Sequence, residues 1–261
     1  MDFTSGTATY PAPAAGHLDF TGACAPSHDN PASQCANCPV KVRCLTSGTT
    51  EWETVHFARL ALGRRRARKG QAVYRVGDRF LFVYAVRFGS FKSTIVLPDG
   101  REQVVAFHLP GDVVGLDATA TGAHPTTLTA LENAEICAIP YSQLSDVSAE
   151  SRTLREHLVR IAGSELVRDH KLLALIAHSH AEERVAAFLV QLSERMQERG
   201  YSPREFNLRM TRADIGSYLG TTLETVSRTL SAFARRGIVS VERRRIQVLD
   251  MDALRAARAY A

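Results

Sequence analysis

The hydrophobic pattern of the chain changes period near residue 150, and that break constrains the fold more than any other feature. From Gln71 to Pro140, apolar residues alternate in short runs such as Phe82–Val86 and Gln103–Phe107. Turn signals separate the runs at Gly77-Asp78, Gly89-Ser90, Pro98-Asp99-Gly100, Pro110-Gly111-Asp112 and Gly122. Several short strands at this spacing predict a compact antiparallel roll or barrel. From residue 151 onward, Leu154, Leu158, Ile161, Ala162, Glu165, Leu166, Asp169, Leu172, Leu173 and Ile176 recur at steps of three and four. That spacing predicts one long amphipathic helix to about residue 180. A helix of this length between two domains suits packing against a second copy, with ordinary core packing as the alternative. Glu165 and Asp169 lie on or next to the apolar stripe, where a purely structural seam would avoid carboxylates.

The flanking segments are plainer. Residues 1–34 are rich in Pro, Ala, Gly, Thr and Ser and are expected to be flexible. Glu51–Leu62 is a short helix candidate, with Trp52, Val55, Phe57, Leu60 and Leu62 as its apolar contacts. The run Arg64-Arg65-Arg66-Ala67-Arg68-Lys69 reads as a phosphate-binding patch or as a solvated strand entrance, and the second reading is preferred. No apolar run approaches the ~18 residues of a membrane helix. The N-terminus carries Asp2 and no apolar signal core, so the cytoplasm is the expected location and no membrane partner is expected.

A further helix starts at Ala181, and Phe206–Met210 reads as a short strand. Thr211 can then cap a helix with Asp214 three residues on as a box-like partner. Ile215 and Leu219 form its buried face, Gly220 permits a tight turn, and Thr222 caps a second helix. Leu223, Val226 and Leu230 are expected to pack inward. That leaves Glu224, Ser227 and Arg228 together on the outer face. Arg can fork onto guanine O6 and N7, Glu can accept from cytosine N4, and Ser can contact several groups. A hairpin over Gly237–Leu249 follows, and its tip is expected to carry Arg243, Arg244 and Arg245 for phosphate contacts. Charge agrees with this reading. The chain's net +5 resides in residues 200–261, which hold eleven Arg and no Lys against six acidic residues. A helix-turn-helix, a basic wing and localised positive charge together predict binding to double-stranded DNA.

The five cysteines are Cys24, Cys35, Cys38, Cys44 and Cys137. In a reducing compartment such clustering points to metal binding or redox chemistry rather than disulfides. Cys35, Cys38 and Cys44 form C-x2-C-x5-C, three ligands for a site that needs four. Cys24, Cys137 or His28 must supply the fourth. Zinc usually takes two paired knuckles, and the second pair is missing here. Iron–sulfur clusters are held by Cys thiolates, often three close together and one remote. An unmetallated redox cluster is the third possibility. By spacing alone the three remain open.

These residues resemble a known family. Ala181–Phe188, Asp214–Gly220, the E-x-x-S-R of Glu224–Arg228, and the cysteine spacing together resemble the CRP/FNR superfamily of bacterial transcription regulators, in its FNR-type oxygen-sensing branch. The resemblance covers about Cys35 to Leu254. It implies an α+β chain: an antiparallel β-roll sensor domain of the cyclic-nucleotide-binding kind, a long dimerisation helix, and a C-terminal winged helix-turn-helix. The corresponding divisions are 1–50 for a flexible N-terminus and cysteine-rich segment, 51–150 for the roll, 151–180 for the helix and 181–261 for the DNA-binding domain.

The resemblance further implies one [4Fe-4S] cluster per subunit, held by Cys35, Cys38, Cys44 and Cys137, with Cys24 spare. It implies a homodimer when the cluster is present, with Leu158, Ile161, Ala162, Glu165, Leu166 and Asp169 as the switch, and a palindromic TTGA-like site read by Thr222, Glu224, Ser227 and Arg228 with Arg243–Arg245 on phosphates. Oxygen would destroy the cluster and release DNA. Gly100–Asp112 resembles a segment that touches RNA polymerase. No cyclic nucleotide is expected, because Gly111–Gly122 has no Arg to compensate a buried phosphate. Pro39 and Arg43 depart from the expected surroundings of the ligands, as does the long N-terminal extension. The runner-up is a zinc-stabilised regulator of the same superfamily without redox sensing. A haem sensor using His108 or Cys137 leaves the other cysteines idle. No P-loop, G-x-S-x-G or H-E-x-x-H is present, so no enzyme is expected.

Overall fold

The computed structural model describes residues 35, 37–50, 54 and 64–258. The expected N-terminal flexibility, Cys24 and His28 lie outside these residues. So does the Glu51–Leu62 helix, apart from Thr54, which is helical and buried.

The alternating segment folds as two antiparallel four-stranded sheets. One has the order β1-β8-β3-β6 and the other β2-β7-β4-β5. The strands are β1 Arg64–Ala67, β2 Ala72–Tyr74, β3 Phe82–Phe88, β4 Phe91–Val96, β5 Glu102–His108, β6 Val113–Val114, β7 Thr127–Ala130 and β8 Ala134–Pro140. The basic run at Arg64 is thus a strand itself rather than a strand entrance, and it pairs Arg64 with Cys137. Val73, Val86, Phe91, Leu128 and Ile136, all fully buried, fill the roll.

Helix α1 spans Tyr141–Glu150 and leads directly into α2, Arg152–His178, capped by the Ser151 hydroxyl accepting from the Leu154 N–H. The C-terminal unit comprises α3 Ala181–Gln197, β9 Glu205–Asn207, α4 Arg212–Tyr218, α5 Leu223–Arg235, β10 Val239–Glu242, β11 Arg245–Val248 and α6 Met251–Ala256. Its three strands pair in the order β10-β11-β9. The strand expected over 206–210 is shorter than predicted. Leu208 and Met210 continue into the core as irregular chain, both buried.

The roll and the C-terminal unit share one apolar core. Phe107 of β5 meets Phe188 of α3 at a ring-centroid distance of 6.0 Å and Tyr218 of α4 at 5.1 Å. Polar clamps surround this contact. The Asp112 carboxylate accepts from Arg195 and from Arg199, each at 2.5 Å. Arg195 also donates to the Phe107 carbonyl and Arg199 to the Pro110 carbonyl. Lys92 pairs with Asp214 at 2.7 Å, Gln103 donates to the Ser217 carbonyl, and the Val104 N–H donates to the Ser217 hydroxyl. Breaking one partner of a buried pair such as Asp112–Arg199 strands a charge, at a cost of about 3–5 kcal/mol.

Candidate functional site

The helix-turn-helix is built from local chemistry. The Thr211 hydroxyl accepts from the Asp214 N–H at 3.0 Å, and the Asp214 carboxylate accepts from the Thr211 N–H at 2.8 Å, closing the expected capping box. Thr222 caps α5 by accepting from the Thr225 N–H at 3.2 Å. Between them Gly220 turns the chain at φ +61°, where a side chain is strained. Gly216 matters for a different reason. A Cβ there would lie 2.9 Å from the Thr221 carbonyl oxygen and 3.0 Å from the Thr222 carbonyl carbon. Only a glycine lets the turn backbone lie this close on α4. Arg184 holds the same turn from below, donating to the carbonyls of Leu219 and Gly220 and also to Ile176 and Ser179 at the end of α2. Neither Gly216 nor Arg184 stood out by sequence.

On α5, Val226 and Leu230 are buried as expected. Leu223 is not, being 45% exposed. It shares their side of the helix but sits in the first turn, where no element covers it. Glu224 and Arg228 are exposed and Ser227 is half-buried, so the three share the outer side of the helix. At the wing, Arg243 and Arg244 form the exposed hairpin tip, with Arg243 at φ +54°. Arg245 does not belong to the tip. It lies in β11 and pairs with Glu205 at 2.8 Å and Glu242 at 3.9 Å, because β9 runs alongside.

The four cysteines among the described residues are the second set of candidate site residues. Cys35, Cys38 and Cys44 flank a short 3-10 turn, Lys41–Arg43, and Cys137 lies on β8. Cys44 and Cys137 pack against a core cluster that includes Leu45, Val83, Ile139 and Leu154, and Leu158 and Ile161 of α2 pack against the same cluster. Burial raises the Cys35 thiol and pushes the Cys44 and Cys137 thiols up to about 12, with the neighbouring thiols adding to each. Cys44 and Cys137 therefore each lie in the field of Cys35 and Cys38. Arg87, paired with Glu135 at 2.7 Å, lies against Cys38. Among the described residues, no three His, Cys, Asp or Glu side chains converge on a single-ion site. Four thiols are a donor set that a zinc ion and an iron–sulfur cluster both take. His108 is buried with its Nε2 at 2.8 Å from the Ser93 hydroxyl, which leaves it poorly placed as a haem ligand.

The long helix carries two faces where the sequence suggested one. Leu158 and Ile161 pack on the roll core. Glu165 also turns inward, where it contacts Arg168 at 3.3 Å, and burial pushes its carboxyl up to about 7. These three are therefore not on the outward seam, because the roll covers their side of the helix. Val159, Leu166 and Leu173 stand 68%, 56% and 65% exposed, and Ala162 and Asp169 are exposed with them. Positions 159, 162, 166, 169 and 173 follow a three-four spacing, the mark of a coiled-coil seam. Between α2, the roll and α3 lies a cavity of about 450 Å³ that includes Asp117, Glu165, Arg168 and Arg195.

A roll joined by a long helix to a winged helix-turn-helix defines a DNA-binding transcription regulator. A family model for the Crp-like helix-turn-helix domain matches residues 183–257, and one for the cyclic nucleotide-binding domain matches residues 64–151. The chain is 39% identical over 225 residues to the fumarate and nitrate reduction regulatory protein of Salmonella typhimurium, covering 86% of this chain and 90% of that one. The protein of the same name from Escherichia coli K12 is 39% identical over 223 residues, 85% and 89% of the two chains. Among solved structures, FixK2 from Bradyrhizobium japonicum matches with a TM-score of 0.71 at 32% identity, over 76% of this chain and 98% of that one. A CooA variant from Carboxydothermus hydrogenoformans shares the fold, with a TM-score of 0.62 at 22% identity over 76% and 88%. The chain belongs to the CRP/FNR family of transcription regulators. It is not an enzyme, and among its described residues no helix is long and apolar enough to cross a membrane.

Proposed function

We propose that this chain is an oxygen-responsive regulator of the FNR type, in which Cys35, Cys38, Cys44 and Cys137 hold one [4Fe-4S] cluster per subunit. The observation that carries the reading is the packing of Cys44 and Cys137 in one core with Leu158 and Ile161 of the long helix. When bound, the cluster supplies an oxygen-labile centre whose iron lowers the proton affinity of the thiols. Without a cation those buried thiols stay protonated at neutral pH. Binding four thiolates ties residues 35–44 to β8, and that binding energy is folding energy for the segment.

The ordered segment then sets the position of α2, whose exposed seam pairs two subunits. In such a pair Asp169 lies near its twin. Two carboxylates about 6 Å apart at an effective dielectric near 20 repel by roughly 3 kcal/mol. Dimerisation therefore depends on the ordered cysteine segment, and oxygen reverses it. A dimer places two recognition helices about one helical turn apart on a palindromic, TTGA-like site. Glu224, Ser227 and Arg228 face base edges, Thr222 fixes the start of the helix, and Arg243 and Arg244 face phosphates. Arg245 is left out of that role by its pairing with Glu205. Gly100–Glu102 is the exposed part of the Gly100–Asp112 segment and so the part open to RNA polymerase, since β5 beyond it packs on α4. Gly115 and Asp117 of the Gly111–Gly122 segment line the cavity beside α2, and that segment supplies no Arg, so the reading includes no cyclic nucleotide.

The test is anaerobic purification with iron and sulfide analysis and a visible spectrum, then exposure to air. Wild type is expected to absorb near 400 nm and bleach in air, and Cys137→Ser to be colourless. A colourless, zinc-containing wild type that binds its site equally in air overturns the cluster in favour of the zinc regulator.

A further inference from the structure

We propose that Arg43 is a positioning residue that latches the cysteine segment to the DNA-binding domain of its own subunit, so that an ordered segment strengthens DNA binding directly as well as through dimerisation. The Arg43 guanidinium pairs with the Glu198 carboxylate at 2.7 Å, and its other terminal nitrogen donates to the Glu198 carbonyl at 3.3 Å. Glu198 caps the C-terminal end of α3. A cation there meets the negative end of the helix, and the planar fork of an arginine spans carboxylate and carbonyl together.

Three parts of the chain interlock at this contact. Arg43 closes the short turn Lys41–Arg43 and lies directly before Cys44. Its stem packs on the turn of the roll that carries Asp112, for a Cβ at Gly111 would lie 2.8 Å from the Cβ of Arg43. Asp112 in turn pairs with Arg199, the neighbour of Glu198. Arg43, His157 and Arg160 of α2, and Glu194 and Glu198 line one cavity of about 400 Å³. Helix α3 shares its apolar core with Val226 and Leu230 of the recognition helix, so the end of α3 is a handle on the reading head. A half-exposed ion pair shifts an equilibrium by no more than about fivefold. It does so only while both partners are held. With the segment disordered, closing the pair must also order the backbone around Arg43. A DNA-binding domain held in place only part of the time binds with an affinity lowered by that fraction. The route lies within one subunit and needs no second copy.

This inference rests on the cluster and DNA-binding reading, and the experiment judges them apart. Wild type, Arg43→Gln, Glu198→Gln and the double variant are purified as full chains without air. Iron and sulfide analysis judges the cluster, sedimentation the dimer, and fluorescence anisotropy with a palindromic duplex the affinity. Each single variant is expected to lose about five- to twentyfold in affinity, because a dimer carries two latches, and the double variant no more than either single. Dimer fraction and iron content are expected to match wild type. Once air has removed the iron, all four proteins are expected to bind alike. Glu198 lies outside the cysteine segment, so its variant separates the latch from any effect of Arg43 on the cysteines. Unaltered affinity overturns the proposal. So do losses that add in the double variant, that follow dimer fraction or iron content, or that persist unchanged after iron loss. An iron-free wild type whose variants still show the coupled loss refutes the cluster and keeps the latch.

Discussion

His157, one turn into the long helix, donates from Nε2 to the carbonyl oxygen of Cys44 at 3.1 Å. A carbonyl can only accept, so the contact fixes the proton on Nε2. It is a direct polar link between the cysteine segment and the helix that pairs subunits. Replacing it by His157→Leu is expected to keep the cysteines and lose the link. The gain in dimer on cluster loading should shrink about fivefold, the worth of one hydrogen bond of ~1 kcal/mol. Sedimentation of loaded and unloaded protein measures that gain. An unchanged ratio between the two would show that the signal travels by another path.

Asp169 is exposed on the outward seam between Leu166 and Leu173. Asp169→Ala is expected to remove the repulsion between twins and tighten the aerobic dimer by up to about a hundredfold, from roughly 3 kcal/mol. Sedimentation in air checks this, and an unaltered monomer fraction would refute the repulsion account.

Glu165 gives stability a pH dependence of known sign. Burial, helped by Asp117, Asp112 and Asp169 and opposed by Arg168, raises its carboxyl from 4.5 to about 7. The unfolded chain therefore releases this proton first. Stability falls as pH rises from about 4.5 to about 7, and the full penalty persists above that. Glu165→Gln is expected to melt with wild type near the lower limit and higher than wild type at pH 8. The difference should be about 1–3 kcal/mol after discounting for partial exposure. Thermal melts across this range decide it, and parallel curves would contradict the burial argument.

Arg228 and Arg243 are expected to fail differently. Arg228→Ala should cost about 1–3 kcal/mol of specific affinity and relax preference at one base pair. Arg243→Ala should weaken binding to all sequences alike and reduce the salt slope by about 0.9. Binding to the palindrome and to single-base variants of it, at several salt concentrations, separates the two outcomes.

Much of this was legible in the residues because the signals are local. Thr211 and Asp214 cap a helix three residues apart, Thr222 does the same for the next, and the period of 154–176 marks a helix wherever it lies. What escaped depends on distant partners. The sequence merged two faces of α2, because only the roll decides that Leu158, Ile161 and Glu165 turn inward while Ala162 and Leu166 stay out. Arg245 read as a wing-tip cation because Glu205, its partner, lies in another strand. The clamp of Arg195 and Arg199 on Asp112 spans 83 and 87 residues. His157 and Cys44 are 113 residues apart, with no motif joining them.

The bare α-carbon of Gly216 has a wider consequence. A single methyl group there meets rigid backbone rather than a movable side chain, so the two helices would have to part to admit it. The domain would still fold around Ile215, Leu219 and Val226. Yet the side chains on the far helix would arrive at the groove at an altered pitch. At this locus the distance between an intact protein and one that no longer reads its operator is one carbon atom.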